Sequence, residues 1–325
     1  MPVNVLVLDG PPAPFDLEER ILAEAGARLV HLTANTPPDE RDRLLAEADA
    51  ILCDSYRVTA EIMERAPRLR IVSEYGIGYD NIDVEAASAR GIWVTNVPGF
   101  CAPEVADHTM ALLLAASRRL LALDRSVRVG EWRPEAVAAG APRLSDQCLG
   151  LIGFGAIARG VARRATGFGL RVLVYSPHTS IELARSFGAE RVELAELLAA
   201  SDYVSLHLPA SSETRGLVDA ALLARCKPTA WLINTARGSI VDEPALFDAL
   251  RTGRLAGAAL DVRQTEPAPA NDPFRDLPNV ILTPHAAYFS ERSIVELRER
   301  AARNVARALI DDRPDSPVNS PIGHG

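Results

Sequence analysis

Three polar residues of the sequence follow short apolar runs, where a strand would deliver them to a loop. Arg237 follows LINTA, Glu266 lies beyond ALDV, and His285 follows ILTP. Reduction of a 2-keto acid needs a cation for the carboxylate, a proton donor for the carbonyl oxygen, and a carboxylate that orients the donor. Taken singly, each residue has an ordinary structural interpretation: a surface Arg, a solvated Glu before Pro, and a capped core His. Together their types predict a catalytic set.

A glycine-rich segment, LGLIGFGAIARGVARRA, predicts a binding site for a dinucleotide. Gly153 and Gly155 come directly after an apolar strand and open a helix, with Ala158 at the third position of the motif. The first glycine allows a tight turn, the second lets a pyrophosphate approach the backbone, and a small third residue allows close helix packing. A plain structural turn is the alternative for such a motif alone. The strand-loop-helix-strand context favours the dinucleotide, with Ala156 and Ile157 at the helix start.

The end of the next strand, RVLVY, bears on which nicotinamide cofactor is used. NAD is usually selected there by an acidic residue that binds the ribose 2′-hydroxyl and repels a 2′-phosphate. Here the strand is followed by Ser176, and the residues up to Ser180 include no acid and no arginine. We therefore predict NAD or NADP as cofactor, with tolerance of NADP.

The elements that would position these residues form two similar series. Residues 1–95 alternate short apolar runs with helical patterns, and the alternation restarts at Gln147. Strands separated by helices in this way indicate parallel sheets, so the fold class is α/β with two doubly wound domains. One long helix is expected from residue 102 to about 130, with Pro103 in its first turn. The C-terminal RPDSPVNSPIGHG is expected to be a loose tail.

Composition excludes several functional classes. The chain has 325 residues, a net charge of −8 and no run of basic residues, so nucleic acid is not an expected ligand. The apolar stretch Val105 to Leu123 includes Asp107 and Arg118, which argues against a membrane span. The four cysteines are scattered and the six histidines lack metal-ligand spacing, so we expect reduced thiols and no metal. Without a signal-like N-terminus, the cytoplasm is the expected location.

Several segments jointly resemble the signatures of the D-isomer-specific 2-hydroxyacid dehydrogenases. They are YGIGYDNID, PEVADHTMALLLA, NTARGSIVDEPAL, AALDV with EP beyond it, and TPHAA, and the resemblance covers almost the whole chain. It implies a Rossmann-type NAD(P)-binding domain at 99–286, inserted in a flavodoxin-like substrate domain formed by 1–98 and 287–325. It also implies hydride transfer between NAD(P)H and a 2-keto or D-2-hydroxy acid.

The same resemblance assigns roles to individual residues. Arg237 would bind the substrate carboxylate, His285 would be the proton donor or acceptor, and Glu266 would pair with His285. The backbone N–H groups of Ile77 and Gly78 would also bind the carboxylate. The cofactor contacts implied are Thr109, Ser176, His207, Thr235, Ala236 and Asp261, besides the glycine loop. Family members are usually dimers, which makes a homodimer the expected state, with the apolar helix at 102–123 and Trp132 as a candidate surface.

Within the family, the C-terminal part of the chain looks most like the C-terminal-binding-protein branch. Two positions depart from that branch, which tends to carry Arg and Trp where this chain has Glu74 and Tyr288. Tyr288 would offer an aromatic wall to the substrate. Glu74 is a surface residue, points away from the substrate, or selects a substrate with a positive or neutral tail. Two alternative functions stay open: an NAD(H)-sensing binding protein with little turnover, and an enzyme that oxidises a small inorganic or one-carbon anion.

Overall fold

The computed structural model describes residues 3–33 and 35–321, which divide into two compact units. The first unit is formed by the chain up to Phe100 together with the chain from Ser290 onward, and the second by Cys101–Phe289. The boundaries expected from the sequence, after residues 98 and 286, lie two and three residues before these.

Strands and helices alternate through both units. Up to Phe100 they are β1 Val3–Val7, α1 Asp16–Ala23, β2 Ala27–His31, α2 Pro38–Ala46, β3 Ala50–Cys53, α3 Ala60–Glu64, β4 Ile71–Glu74, α4 Val84–Ala89 and β5 Trp93–Thr95. The second unit has α5 Ala102–Ser117, α6 Leu120–Arg128, α7 Pro134–Ala138, β6 Cys148–Ile152, α8 Ala156–Gly167, β7 Arg171–Tyr175, α9 Ile181–Ser186, β8 Ala189–Arg191, α10 Leu194–Ala200, β9 Tyr203–Leu206, α11 Ala220–Leu223, β10 Trp231–Asn234, α12 Glu243–Arg251, β11 Gly257–Leu260 and β12 Val280–Leu282. The last helix, α13 Glu291–Asp311, returns to the first unit.

The sheet of the first unit has five parallel strands in the order β2-β1-β3-β4-β5. This is the flavodoxin-like order, and both central strands β3 and β4 are buried along their whole length. Helix α13 packs on β4 and on α1. Its Arg298 forms a bidentate ion pair with Glu18 of α1, whose side chain has no exposed surface.

The segment after α13 is docked on the first unit, so the expectation of a loose tail was wrong for residues 313–321. Val318 donates its backbone N–H to Val94 of β5, and the Asn319 side chain accepts the N–H of Val94 at 2.8 Å. The Asn319 amide also donates to the Ile92 carbonyl. A polar side chain that satisfies an edge strand holds this Pro-rich segment in place, and composition alone does not reveal it. The last four residues of the tail lie outside the described residues.

The sheet of the second unit has seven parallel strands in the order β12-β11-β10-β9-β6-β7-β8. The chain runs outward from β6 to β8, then returns to the other side of β6 and runs outward again to β12. The order therefore reverses between β6 and β9, which is the switch point where Rossmann-type sheets bind their ligands. Apolar clusters cover both faces of the sheet. Both sheets agree with the fold class expected from the sequence.

The long helix expected from residue 102 is two helices, α5 and α6, in the structure. The break lies at Arg119, which has a left-handed backbone with φ 52°, and its guanidinium donates to the Val137 carbonyl at 2.8 Å. Helix α5 is largely buried, whereas α6 has no buried residue. A helical period continues through both segments, so the pattern does not show the turn between them.

Two smaller expectations concern the cysteines and the membrane. All four cysteines, Cys53, Cys101, Cys148 and Cys226, are buried thiols that form no disulfide. Within residues 3–33 and 35–321, none of the helices has the length and hydropathy that crossing a bilayer requires.

Candidate active site

His285 and Glu266 are in direct contact in the second unit. The imidazole Nδ1 of His285 lies 2.6 Å from Oε2 of Glu266, and both side chains are partly exposed. His285 follows β12, Glu266 follows β11, and parallel neighbouring strands end at the same edge of the sheet. His285 has φ 52°, a left-handed conformation that is unusual for a non-glycine residue and is typical of functional positions. The loop thus turns the imidazole toward the carboxylate.

The contact shifts the pKa of both groups in opposite directions. The hydrogen bond and the charge of Glu266 raise the pKa of His285 above its usual 6.5, against the effects of burial and of the Arg237 charge. Burial acts to raise the pKa of Glu266, but its hydrogen bonds with His285 and with the Arg263 N–H outweigh burial and lower that pKa. The pair therefore stabilises a protonated imidazole beside an ionised carboxylate.

Arg237 is positioned by a turn at the end of β10. The buried Asn234 side chain accepts the N–H of Ala236 at 3.0 Å and donates to the Arg237 carbonyl at 2.9 Å. An Asn side chain that bonds to its own backbone two and three residues on fixes such a turn. The charge of the Arg237 guanidinium lowers the pKa of both Glu266 and His285, so the three side chains interact electrostatically.

Asp261, at the end of β11, organises the loop that carries His285. Its carboxylate accepts the N–H groups of Ala286 and Ala287 and the Thr283 hydroxyl, at 2.9, 3.0 and 2.5 Å. Its carbonyl accepts the N–H of His285 at 2.7 Å. Because its side chain has no exposed surface, it positions the 283–287 loop, and the cofactor contact implied by resemblance stays a prediction.

The glycine loop after β6 fits a dinucleotide pyrophosphate. Gly153 has φ 95°, and a Cβ there would lie 2.3 Å from the His207 carbonyl oxygen, so only glycine fits. At Gly155, the N-cap of α8, a Cβ would meet open space, and no side chain caps the helix. Gly155 and Ala156 are exposed, whereas Ala158 is buried. An uncapped helix start behind an open glycine backbone is a suitable anion site.

The other residues expected at the cofactor lie around this sheet edge. The Thr109 hydroxyl is buried and bonds to that of Thr235 at 2.9 Å, which links α5 to the end of β10. His207 bonds to the Ser205 hydroxyl, and burial lowers its pKa to about 4, so its imidazole is neutral at neutral pH. Ser176 is partly exposed and accepts a hydrogen bond from the Thr179 hydroxyl at 2.9 Å.

Comparison with protein families decides the identity of this unit. Residues 110–287, more than half of the chain, match the family model described as the NAD binding domain of D-isomer specific 2-hydroxyacid dehydrogenases. The chain belongs to this family. It is an NAD(P)-dependent oxidoreductase that transfers a hydride between the nicotinamide and 2-keto or 2-hydroxy acids.

Individual relatives of this dehydrogenase cover most of its length. The glyoxylate reductase of Korarchaeum cryptofilum is 43% identical over 271 residues, which are 82% of this chain and 80% of the relative. A solved structure of a protein from Thermus thermophilus is 36% identical, with a TM-score of 0.86 over 98% of this chain and 100% of that one. The NADPH-dependent glyoxylate/hydroxypyruvate reductase of Sinorhizobium meliloti, solved with NADP and malonate, is 29% identical, with a TM-score of 0.83 over 98% and 97%.

Three further residues that the sequence predicted for the site remain to be located in the dehydrogenase. The Tyr288 ring lies edge-on to the His285 ring, with centroids 6.1 Å apart. In the first unit, Ile77 and Gly78 lie in the loop after β4, where the Ile77 carbonyl accepts the Asn96 side chain at 2.7 Å. Sequence reasoning missed Asn234, and it also missed the polar contacts of Asp261 and Arg263. For Asn234, the one signal available in the sequence was its place directly after the buried apolar residues of β10.

Glu74, the last residue of β4, is not a surface residue in the dehydrogenase. It is 1% exposed, and its Oε2 accepts hydrogen bonds from the Asn81 amide at 2.9 Å and the Cys53 thiol at 3.4 Å. Burial raises the pKa of Glu74 to about 9, and the charges of Asp54 and Asp9 add to the effect. Glu74 is therefore a neutral, hydrogen-bonded acid at neutral pH, and the interpretation as a surface residue was wrong.

We expect Glu74→Gln to stabilise the dehydrogenase increasingly as pH rises. The pKa of Glu74 in the folded protein lies above its usual 4.5, so its proton favours folding at low pH. That contribution is lost between pH 4.5 and about 9, and glutamine, which needs no proton, avoids the loss. Thermal melts of both proteins at about pH 5 and about pH 8.5 measure the change in Tm.

Glu85→Gln, at an exposed position of α4, is the matched control and should show no such trend. A Tm difference for Glu74→Gln that does not become more positive with pH would show that Glu74 is ionised in the folded protein.

Proposed function

We propose that this dehydrogenase reduces a short 2-keto acid to the D-2-hydroxy acid, with Arg237, His285 and Glu266 as its catalytic residues. The observation that carries the proposal is the 2.6 Å contact between Glu266 and His285, with the Arg237 charge acting on both. Glyoxylate is the first candidate substrate, because the Korarchaeum relative is named a glyoxylate reductase. Residues 101–289 would be the NAD(P)-binding domain and the rest of the chain the substrate domain.

The pairing with Glu266 leaves one nitrogen of His285 for proton transfer. Because Nδ1 is held by Glu266, Nε2 is the atom that gives its proton to the carbonyl oxygen during reduction. The nicotinamide cofactor, when bound, supplies the hydride that reaches the carbonyl carbon. Arg237 would hold the substrate carboxylate bidentately, which orients the carbonyl. In the reverse direction neutral His285 accepts the hydroxyl proton. Tyr288, beside the imidazole, would contact the substrate side chain, and Ile77 and Gly78 keep their predicted contact with the carboxylate.

We expect Glu266→Gln to move the pH dependence of reduction toward lower pH. Reduction needs protonated His285, so kcat/KM should be constant below the raised pKa of His285 and fall above it. Removal of the Glu266 charge lowers that pKa, by about one unit for a lost neighbouring charge. At a pH well above the pKa of His285 in both proteins, this alone lowers kcat/KM by roughly tenfold. The measurement is kcat/KM for glyoxylate from about pH 5 to pH 9.5.

Oxidation of the hydroxy acid should show the opposite dependence, because it needs neutral His285. Glu196→Gln, at an exposed position of α10, controls for the loss of one negative charge in the same unit. A reduction profile of Glu266→Gln that falls at the wild-type pH would refute the proposed pairing.

We further propose that the dehydrogenase accepts both NADH and NADPH. The support is local: Ser176 follows β7, its hydroxyl accepts a hydrogen bond from Thr179, and residues 176–180 include no acid. The Sinorhizobium relative, named NADPH-dependent, is consistent with this arrangement.

Absorbance at the nicotinamide band, with each cofactor and a panel of 2-keto acids, tests cofactor use. We expect the kcat/KM values for NADH and NADPH to differ by less than about a hundredfold, which is about 2.7 kcal/mol in transition-state binding. Ser176→Asp should selectively weaken NADPH, because its carboxylate repels the 2′-phosphate. Ser176→Asn, whose new side chain has the size of Asp but no charge, is the control. Tight cofactor binding without turnover of any acid would favour the NAD(H)-sensing binding protein instead.

A homodimer is the third proposal, and its support is an apolar surface on α6 and the segment after it. Leu120, Val129 and Trp132 are 59%, 76% and 83% exposed, and α6 has no buried residue. Apolar side chains concentrated in this way mark an interaction surface. Location in the cytoplasm and membership of the C-terminal-binding-protein branch stay predictions.

We expect light scattering to give twice the chain mass, and Trp132→Glu to shift the protein toward the monomer. A buried charge in a C2 interface is repeated by symmetry, so one substitution acts twice. Val295→Glu, at an exposed apolar position of α13, is the control. A monomeric mass for the unaltered protein would refute the dimer.

A further inference from the structure

A buried cluster of three charged side chains is centred on Arg263, in the loop that carries Glu266 in the second unit. The Arg263 guanidinium donates from Nε and Nη2 to the two carboxylate oxygens of Glu243, at 2.9 and 3.0 Å. Its Nη2 also donates to Asp272 at 3.1 Å, and its Nη1 contacts the second oxygen of Asp272. The guanidinium lies over the Phe274 ring, 4.3 Å from the centroid. We refer to Arg263, Glu243 and Asp272 as the Arg263 cluster.

The Arg263 cluster joins three separate segments around a single guanidinium. Glu243 is the first residue of α12, Asp272 caps a short 3-10 helix over Pro273–Asp276, and Arg263 lies in the loop after β11. The side chains are 10%, 18% and 2% exposed for Arg263, Glu243 and Asp272. Buried ion pairs contribute little net stability, because desolvation opposes the attraction between the charges. The main effect of this cluster is therefore to fix the positions of the three segments, rather than to add net stability.

The backbone of Arg263 passes this geometry to the catalytic pair. Its N–H donates to Oε1 of Glu266 at 2.7 Å, while Oε2 of the same carboxylate holds His285. Glu243 additionally accepts the N–H of Gln264 at 2.8 Å, so it binds the 263–264 peptide directly as well as the Arg263 side chain. The loop from 263 to 266 is thereby fixed at its start by the cluster and at its end by the catalytic histidine.

The 263–264 peptide is also in close contact with the segment that carries Arg237. A Cβ at Gly238 would lie 1.9 Å from the Arg263 carbonyl carbon and 2.4 Å from the Gln264 nitrogen. The backbone of Gly238 is therefore in direct contact with the 263–264 peptide, one residue from Arg237. A shift of this peptide would displace both the carboxylate partner of His285 and the neighbour of Arg237.

We propose that Arg263, held by Glu243 and Asp272, is a positioning residue that fixes Glu266 against His285. The inference rests on the function proposed above. Arg263 reaches Glu266 only through its backbone N–H, so it acts through the carboxylate and does not contact the reacting atoms. The charged groups that act on His285 are Glu266, Arg237 and Asp261, and the first two lie on segments that the 263–264 peptide contacts.

Glu243→Gln and Arg263→Lys test the proposal with mild changes. Glutamine keeps the oxygen that accepts from Arg263 Nε and from the Gln264 N–H, and loses the acceptor of Nη2. Lysine keeps the positive charge and loses the planar fork. Glu266→Gln, which changes the direct partner of His285, is the reference with which the effects of these two variants are compared. Asp248→Asn is the matched control, because Asp248 also lies on α12 but forms an exposed pair with Arg251.

The readout is the pKa of His285, followed by NMR of the imidazole Cε1–H in the cofactor-free protein, with His285→Gln for assignment. We expect Glu243→Gln to lower this pKa by about half a unit, roughly a threefold change in the protonation ratio, and Arg263→Lys to lower it further. Asp248→Asn should leave it unchanged. Glu243→Gln should add nothing in a Glu266→Gln background, because both changes act through one carboxylate.

The outcomes separate this proposal from the function on which it rests. If Glu266→Gln lowers the pKa but neither Glu243→Gln nor Arg263→Lys does, the cluster is only a structural brace and the inference is overturned. Additive shifts in the double variant would also overturn it. If Glu266→Gln itself leaves the pKa unchanged, the proposed catalytic pairing fails first. Loss of Tm without a pKa shift indicates a role in stability alone.

Discussion

Parallel pairing of seven strands is the constraint on which the second unit depends. Because β6 to β12 all run in one direction, each strand delivers its following loop to the same edge. The glycine loop, Ser176, His207, Arg237, Asp261 and His285 all follow the ends of these strands, although long stretches of sequence separate them. Close backbone contacts then bring the loops together, and Gly153 and Gly238 are the positions where any side chain would separate them.

Buried ionisable side chains are satisfied in three different ways in the two units. Asp261 is satisfied by two backbone N–H groups and a hydroxyl, Arg263 by two carboxylates, and Glu74, in the first unit, by retention of its proton. Each solution has its own functional consequence. Backbone and hydroxyl donors fix a loop, an ion pair fixes the geometry of its neighbours, and a retained proton makes stability depend on pH.

Sequence patterns were sufficient for the fold class and the family, because strand-helix alternation and the glycine loop depend on local spacing. The signature segments also predicted residues that the structure brings together, including Glu266, His285 and Arg237. The patterns did not reveal the break at Arg119, the docking of Asn319, or the burial of Glu74. Each of these depends on a partner distant in sequence, such as Val137, Val94 or Cys53, and local propensity is silent about such partners.

The docked segment after α13 has a consequence for biosynthesis. The second unit is contiguous in the chain, so all of its strands have been translated before the ribosome reaches residue 290. The first unit starts earlier in the chain, yet the helix that covers β4 and the asparagine that holds β5 are made only after the whole of the second unit. The usual N-to-C order of domain folding during synthesis is therefore reversed, because the nascent first unit stays incomplete until the second unit has been translated.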